Sequence, residues 1–310
     1  MKRAVRAAAA AVLAGLLLGT SGCGLTAAGV DGELTDDWPP LAAPKFDLPA
    51  VGACLSTTTK TPFDPAYTVA TPIECDRAHT LEVVLVGTVE GSAAQAPAPP
   101  KPGSEGFQAS YTACGKAVAG YVGGEWHTGL LGIDVRQPTS QAWQGGLRDY
   151  VCSVVALSDA YGVMQMNTGS LKGSLTGAAP RALRCLAATG TTRSDGWWED
   201  MSTLTPIDCA QPHEAEFAGT IQVGPATGSL PASDVLRKRS LGPCWDVVAR
   251  FVGLSGNELD AREEFWAAWD GMGRYQWEAG DPYQRCFALF RPGKKARATV
   301  KGLGKKGFPA

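Results

Sequence analysis

Apolar positions recur with helical spacing at two places in the chain. Cys114, Val118, Tyr121 and Val122 stand at i, i+4, i+7 and i+8, and Cys244, Val248, Phe251 and Val252 repeat that spacing. A period near 3.6 predicts one amphipathic helix at each place, with the cysteine on its buried face. Gly123 and Gly253 follow where a helix C-terminus takes a left-handed residue. Elsewhere the pattern shortens to that of strands. The stretches 82–90 and 217–223 are rich in β-branched and aromatic residues, and 150–155 and 285–290 close each half with a cysteine-bearing strand. Each half also opens on a short strand carrying a cysteine. Strands, a helix and further strands, with no alternating crossover pattern, predict an α+β class in which each half is a small, mostly antiparallel sheet with one main helix.

The two halves are copies. Residues 71–83 read TPIECDRAHTLEV and 205–217 read TPIDCAQPHEAEF, an offset of 134 that also relates Trp143 to Trp277 and Cys152 to Cys286. Residues kept in both copies are expected to build the domain or a shared binding surface, because one active site needs only one copy of its chemistry. The reading places copy one at 48–164, a linker at 165–178 and copy two at 179–292. The Pro-rich stretch 96–106 reads as a surface loop inside copy one.

The ends behave differently. Lys2, Arg3 and Arg6 precede an apolar run over 7–18 and small residues up to Cys23, the layout of a secretory signal too short for an ordinary span. The ending Thr20-Ser21-Gly22-Cys23 resembles a bacterial lipobox. Residues 1–22 are therefore expected to be removed, Cys23 to carry a diacylglyceryl anchor, and 23–47 to serve as a Pro- and Gly-containing tether. That places the protein on the extracytoplasmic face of a bacterial cell membrane. Residues 293–310 carry six cations and no acid, and are expected to form a disordered basic tail. The formal charge is −2; setting aside three cations in the signal and six in the tail leaves the body at −11. An acidic body argues against nucleic acid as a partner.

Nine cysteines are an odd count for an exported chain, and assigning Cys23 to lipid leaves four per copy. If both copies close alike, three patterns remain. The expected one joins first with second and third with fourth: Cys54 with Cys75, Cys114 with Cys152, Cys185 with Cys209 and Cys244 with Cys286. Such small units bury limited apolar surface, which disulfides offset in an oxidising compartment.

Candidate chemistry is sparse. His79 with Glu82, and His213 with Glu216, lie three residues apart and offer a base or part of a metal site. Zinc needs three or four ligands, the nearby Cys75 and Cys209 are better used in disulfides, and no HExxH motif is present, so no metal and no cofactor are expected. A semi-buried histidine bonded to backbone or to its glutamate is the expected role. Nothing resembles a nucleophile elbow, and His127 occurs in copy one only. Trp143 and Trp277 are expected to pack against disulfides, yet with both His–Glu pairs they complete the set of possible binding residues. Copy two also holds Trp197, Trp198, Trp245, Trp266 and Trp269, from which an exposed binding patch could be built.

The cysteine order, the Cys-x-x-x-His-x-x-Glu segment, the Cys-x6-[Tyr/Phe]-Val-Gly helix and the closing Trp-x-x-Gly-x5-Cys together resemble the septum formation domain of actinobacterial membrane proteins and lipoproteins, once in each copy. Gly52-Ala53 and Leu183-Arg184 stand where that pattern has Gly-Asp, whereas Gly280-Asp281 fits its closing motif better than Gly146-Leu147. The resemblance implies an association with division septa and carries over no catalytic role. The expectation is a non-enzymatic, lipid-anchored module that contacts an envelope protein or, alternatively, peptidoglycan or another wall polymer. A hydrolase using His213 and Glu216 is the third reading.

Overall fold

The computed structural model describes residues 45–57 and 70–310. The signal, Cys23 and nearly all of the tether lie outside the described residues. Residues 46–310 form one compact unit. Among the described residues, no helix is long and apolar enough to cross a membrane.

The first half contains β1 (Cys54–Ser56), β2 (Thr71–Ile73), β3 (Leu81–Thr88), α1 (Glu105–Val122), β4 (Leu131–Arg136), β5 (Asp149–Leu157) and β6 (Met164–Gln165). The second contains β7 (Cys185–Thr192), β8 (Trp198–Ile207), β9 (Ala215–Gln222), α2 (Ser233–Val252), β10 (Phe265–Trp269) and β11 (Tyr283–Phe290). The sheets run β2-β1-β3-β5-β4, with β6 added beside β5, and β10-β11-β9-β7-β8. Read from opposite ends these orders are the same, and the pairs are antiparallel. The fold is α+β, and the two halves share one topology.

Each main helix forms where the apolar spacing predicts it. Ser104 caps α1 by accepting the Phe107 amide, and Phe107, Tyr111, Cys114, Val118 and Val122 line its buried face. Each large side chain withdrawn from water there stabilises the fold by about 1.5–3 kcal/mol. Both helices end on a left-handed glycine, Gly123 at φ 83° and Gly253 at φ 85°. The expected disulfides all form, with Cα–Cα distances of 5.2, 5.5, 5.1 and 5.4 Å. Cys114–Cys152 and Cys244–Cys286 each staple the helix to the strand beneath it.

The layering departs from two separate small domains. Cys152, Val154 and Ala156 of β5 face α1, while Val155 and Leu157 face away from it. On that far side Leu81, Val83, Val155 and Leu157 of the first half meet Leu186, Leu204, Phe287 and Leu289 of the second in a shared core. The result is four layers: helix, sheet, sheet, helix. The continuous apolar runs of β5 and β11 carry the reason, because a strand covered on both faces has no polar alternation.

A second departure concerns the expected linker and tail. Residues 165–178 and 293–310 are ordered, equivalent straps that each close one half. Ser170-Leu171-Lys172-Gly173 corresponds to Thr299-Val300-Lys301-Gly302, now at an offset of 129. Gly173 and Leu175 donate to the carbonyls of Tyr121 and Val122, as Gly302 and Gly304 do to those of Phe251 and Val252. His79 bridges to Asn167 and His213 to Ala296. Ala296 and Val300 are fully buried, and Leu303 and Phe308 pack on the core beside α2. The basic tail is therefore not disordered: Ala296, Val300, Leu303 and Phe308 pack inward, and its lysines sit on the outer side of an ordered segment. Gly253 permits the approach, since a Cβ there would stand 3.3 Å from the Gly302 backbone.

Candidate functional site

The six residues singled out as possible binding groups are all inside the protein. His79, Glu82, His213 and Glu216 are at most 2% exposed. In copy one, His79 Nδ1 donates to the Arg77 carbonyl at 2.8 Å, and Nε2 lies 3.1 Å from Glu82 Oε1. In copy two, His213 repeats this with Gln211 at 2.9 Å and Glu216 at 3.0 Å. A carbonyl only accepts, so Nδ1 carries hydrogen, and one further proton must lie between Nε2 and the carboxylate. The carboxylates hold the straps. Glu82 accepts from the Leu171 amide, Ser170 and Tyr121, and Glu216 from the Val300 amide and Thr299. Burial alone would lower the His213 pKa, but Glu216 and the Gln211 carbonyl outweigh it and raise it above the ordinary range.

Cys54, His79 and Glu82 cluster within 4.8 Å, as do Cys185, His213 and Glu216. The sulfurs are spent in disulfides and each imidazole Nδ1 is committed to a carbonyl, so this donor set does not suit a metal ion. Trp143 and Trp277 are 2% and 1% exposed, and their indole N–H groups donate to Ala96 at 2.7 Å and Gly228 at 3.1 Å. They pin the loops before each helix instead of offering a surface. The repeated residues thus belong to the scaffold.

Chemistry that reaches solvent lies where the copies differ. A cavity of about 390 Å³ opens between the halves, bordered by Tyr111, Trp126, His127, Tyr161, Asp270, Tyr275, Asp281, Tyr283 and Arg285. His127 spans the junction. Its Nδ1 is 2.6 Å from Glu125, its Nε2 is 3.1 Å from Asp281 of the other half, and its ring lies between Trp126 at 3.6 Å and Tyr283 at 4.5 Å. Burial would lower the His127 pKa, but Asp281 and Glu125 together raise it. Asp281 also accepts the Tyr111 hydroxyl at 3.2 Å and the Tyr283 amide at 3.1 Å. Burial of Tyr111, reinforced by Asp281, pushes that phenol well above its usual range. Beside it, Asp270 takes Arg285 Nε at 2.6 Å and the Arg285 amide at 2.7 Å. Desolvation raises the Asp270 pKa and Arg285 opposes the rise. Residue-by-residue reading of the repeat passed over this site. Its signal was the asymmetry itself: His127 stands in copy one only, and Asp281 replaces the Leu147 of copy one.

A second solvent-facing feature sits on copy two. Trp266, 46% exposed, lies on the edge strand β10 with Trp197 at 5.7 Å and Trp245 at 5.9 Å between ring centroids. Arg291 stands 5.3 Å from the Trp197 ring. Trp198 is half-buried, its indole bonded to the Phe290 carbonyl at 2.8 Å. Of the five tryptophans expected to build a patch only Trp266 is exposed; Trp197, Trp198, Trp245 and Trp269 are half-buried, with Trp197 and Trp245 beside Trp266.

The model for the septum formation family matches residues 51–286 in a single span. The chain belongs to the septum formation family. The span runs through both halves without dividing at their boundary, in keeping with the shared core. The family description links the chain to septum formation, and so to cell division. No curated protein and no solved structure matches the chain.

Proposed function

We propose that this member of the septum formation family is a non-enzymatic interaction module, lipid-anchored through Cys23 at the extracytoplasmic face of the cell membrane, where it contacts another envelope protein during division. The observation that carries the reading is the exposed Trp266 with the half-buried Trp197 and Trp245 beside it. Large aromatic side chains held half-open at a sheet edge are the residues most enriched at binding hot spots. The burial of both His–Glu pairs supports the non-enzymatic part, because the four residues are at most 2% exposed.

The test is the position of the lipidated protein in dividing cells, parent against Trp266→Ala. The reading expects enrichment at the septum that falls at least threefold in the variant while the melting temperature stays unchanged. Septal enrichment untouched by Trp266→Ala would remove the aromatic face from the account. A wall-polymer partner is the second reading, favoured by Arg291 beside Trp197, since sugar-binding aromatics keep polar neighbours. It expects wall fragments to quench tryptophan fluorescence in the parent and not in Trp266→Ala.

A further inference from the structure

The junction cavity has a composition that selects the charge of its occupant, independently of the aromatic face. Trp126, Tyr161, Tyr275 and Tyr283 present aromatic rings around it. The faces of such rings are electronegative and attract cations. Each of the two cationic side chains at its border is paired with a carboxylate. Arg285 gives Nε to Asp270, one terminal nitrogen to the Ala160 carbonyl at 2.7 Å and the other to Gly129 at 3.4 Å. His127 has one nitrogen on Glu125 and the other on Asp281.

An entering anion would therefore meet aromatic side chains and three carboxylates, Asp270, Asp281 and Glu125, set against two cationic groups, Arg285 and His127. The carboxylates keep capacity. Each Asp270 oxygen accepts a single hydrogen bond from Arg285, and a carboxylate oxygen can accept two. At the mouth, Tyr161 is 37% exposed. Its hydroxyl is pushed up to about 12 by burial and by Asp270, Asp200 and Asp159. Burial is the larger cause of that shift, and the three carboxylates add to it.

We propose that the junction cavity binds an organic ammonium group, a protonated amine on an apolar stem, with the stem against Leu131, Leu157 and Met272 and the charge between the aromatic rings and Asp270. The cavity volume of about 390 Å³ suits one amine-bearing side chain or a small amine rather than a polymer. This gives a septum formation family member a ligand site made jointly by both halves, using residues that neither copy repeats.

The experiment titrates n-pentylammonium, 1-pentanol and pentanoate into the full-length, disulfide-intact protein in detergent, followed by calorimetry and tryptophan fluorescence. Pentylammonium is expected to saturate one site, with the alcohol and the carboxylate at least tenfold weaker. Tyr161→Ala should weaken pentylammonium about two- to fivefold, the scale of one cation–π contact, without changing the melting temperature. Trp266→Ala should leave it unchanged, so this site and the aromatic face succeed or fail separately. Equal or tighter binding of the alcohol or the carboxylate, no saturable binding of the amine, or full affinity in Tyr161→Ala would overturn the proposal.

Discussion

Replacing Glu216 by glutamine changes almost no atoms and removes one buried charge. The residue is 2% exposed, and its carboxylate receives His213 at 3.0 Å, Thr299 at 2.7 Å and the Val300 amide at 2.8 Å. A glutamine oxygen can still accept the Val300 amide, and its NH₂ can donate to the Thr299 hydroxyl. What it cannot do is balance the His213 imidazolium. The ring must then lose its proton and turn a lone pair toward an amide oxygen. Stranding one member of a buried pair costs about 3–5 kcal/mol, and the two retained bonds bring the expected loss to about 3 kcal/mol. For a unit of this size that is roughly 6–12 °C in melting temperature. The assay is calorimetry with disulfides kept oxidised, alongside hydrogen exchange of Gly302 and Gly304, whose amides bond the end of α2. Those two amides should lose protection before the sheet does. A Glu216→Gln protein within 0.5 kcal/mol of the parent, with its strap still protected, would refute the ion-pair argument.

Three further outcomes are expected, two from the structure and one from the proposed anchor. His127 and His213 both have folded pKa values raised above an unfolded value near about 6.5. Their contribution should be complete below that value and disappear as pH rises through the raised ones, so the melting temperature should fall on the alkaline side, and less so in His127→Gln. Removing the Cys244–Cys286 bridge by a double alanine substitution, which opens a loop of 42 residues, should cost about 2–4 kcal/mol in denaturant titrations. Cys23→Ser should move the protein from the membrane pellet to the supernatant on fractionation; retention in the pellet would count against the lipid anchor.

Much of the scaffold was legible because its determinants are periodic or repeated. Cys114, Val118 and Val122 mark a helix face by spacing alone, and the doubled cysteine order leaves few pairings. The straps were harder to see. Their stretches are glycine-rich with a few scattered apolar anchors, Leu171 and Leu175 in one and Ala296, Val300, Leu303 and Phe308 in the other, so no periodicity marks them. Copy one also inserts the turn leading to β6 before its strap, which shifts the repeat register. The His–Glu pairs were visible in sequence, but their task was not, because the groups they hold lie 84 and 89 residues further along the chain. The junction cavity was hidden for the opposite reason. It is made of residues that differ between copies, and only the packing of sheet on sheet brings His127 to Asp281.

The strap of the first half is also the stretch of chain that leads into the second. It is bonded on one side to Glu82 and the end of α1, and residues just beyond it are tied back to the first half, Leu183 to the Thr128 carbonyl and Leu130 to that of Arg181. No slack remains for a hinge. The halves cannot swing like beads on a string, so a partner at the Trp266 edge and a small ligand at the junction each meet a surface already assembled. Little ordering entropy is left to lose when either binds. A pull on one half is carried to the other as through a single lever.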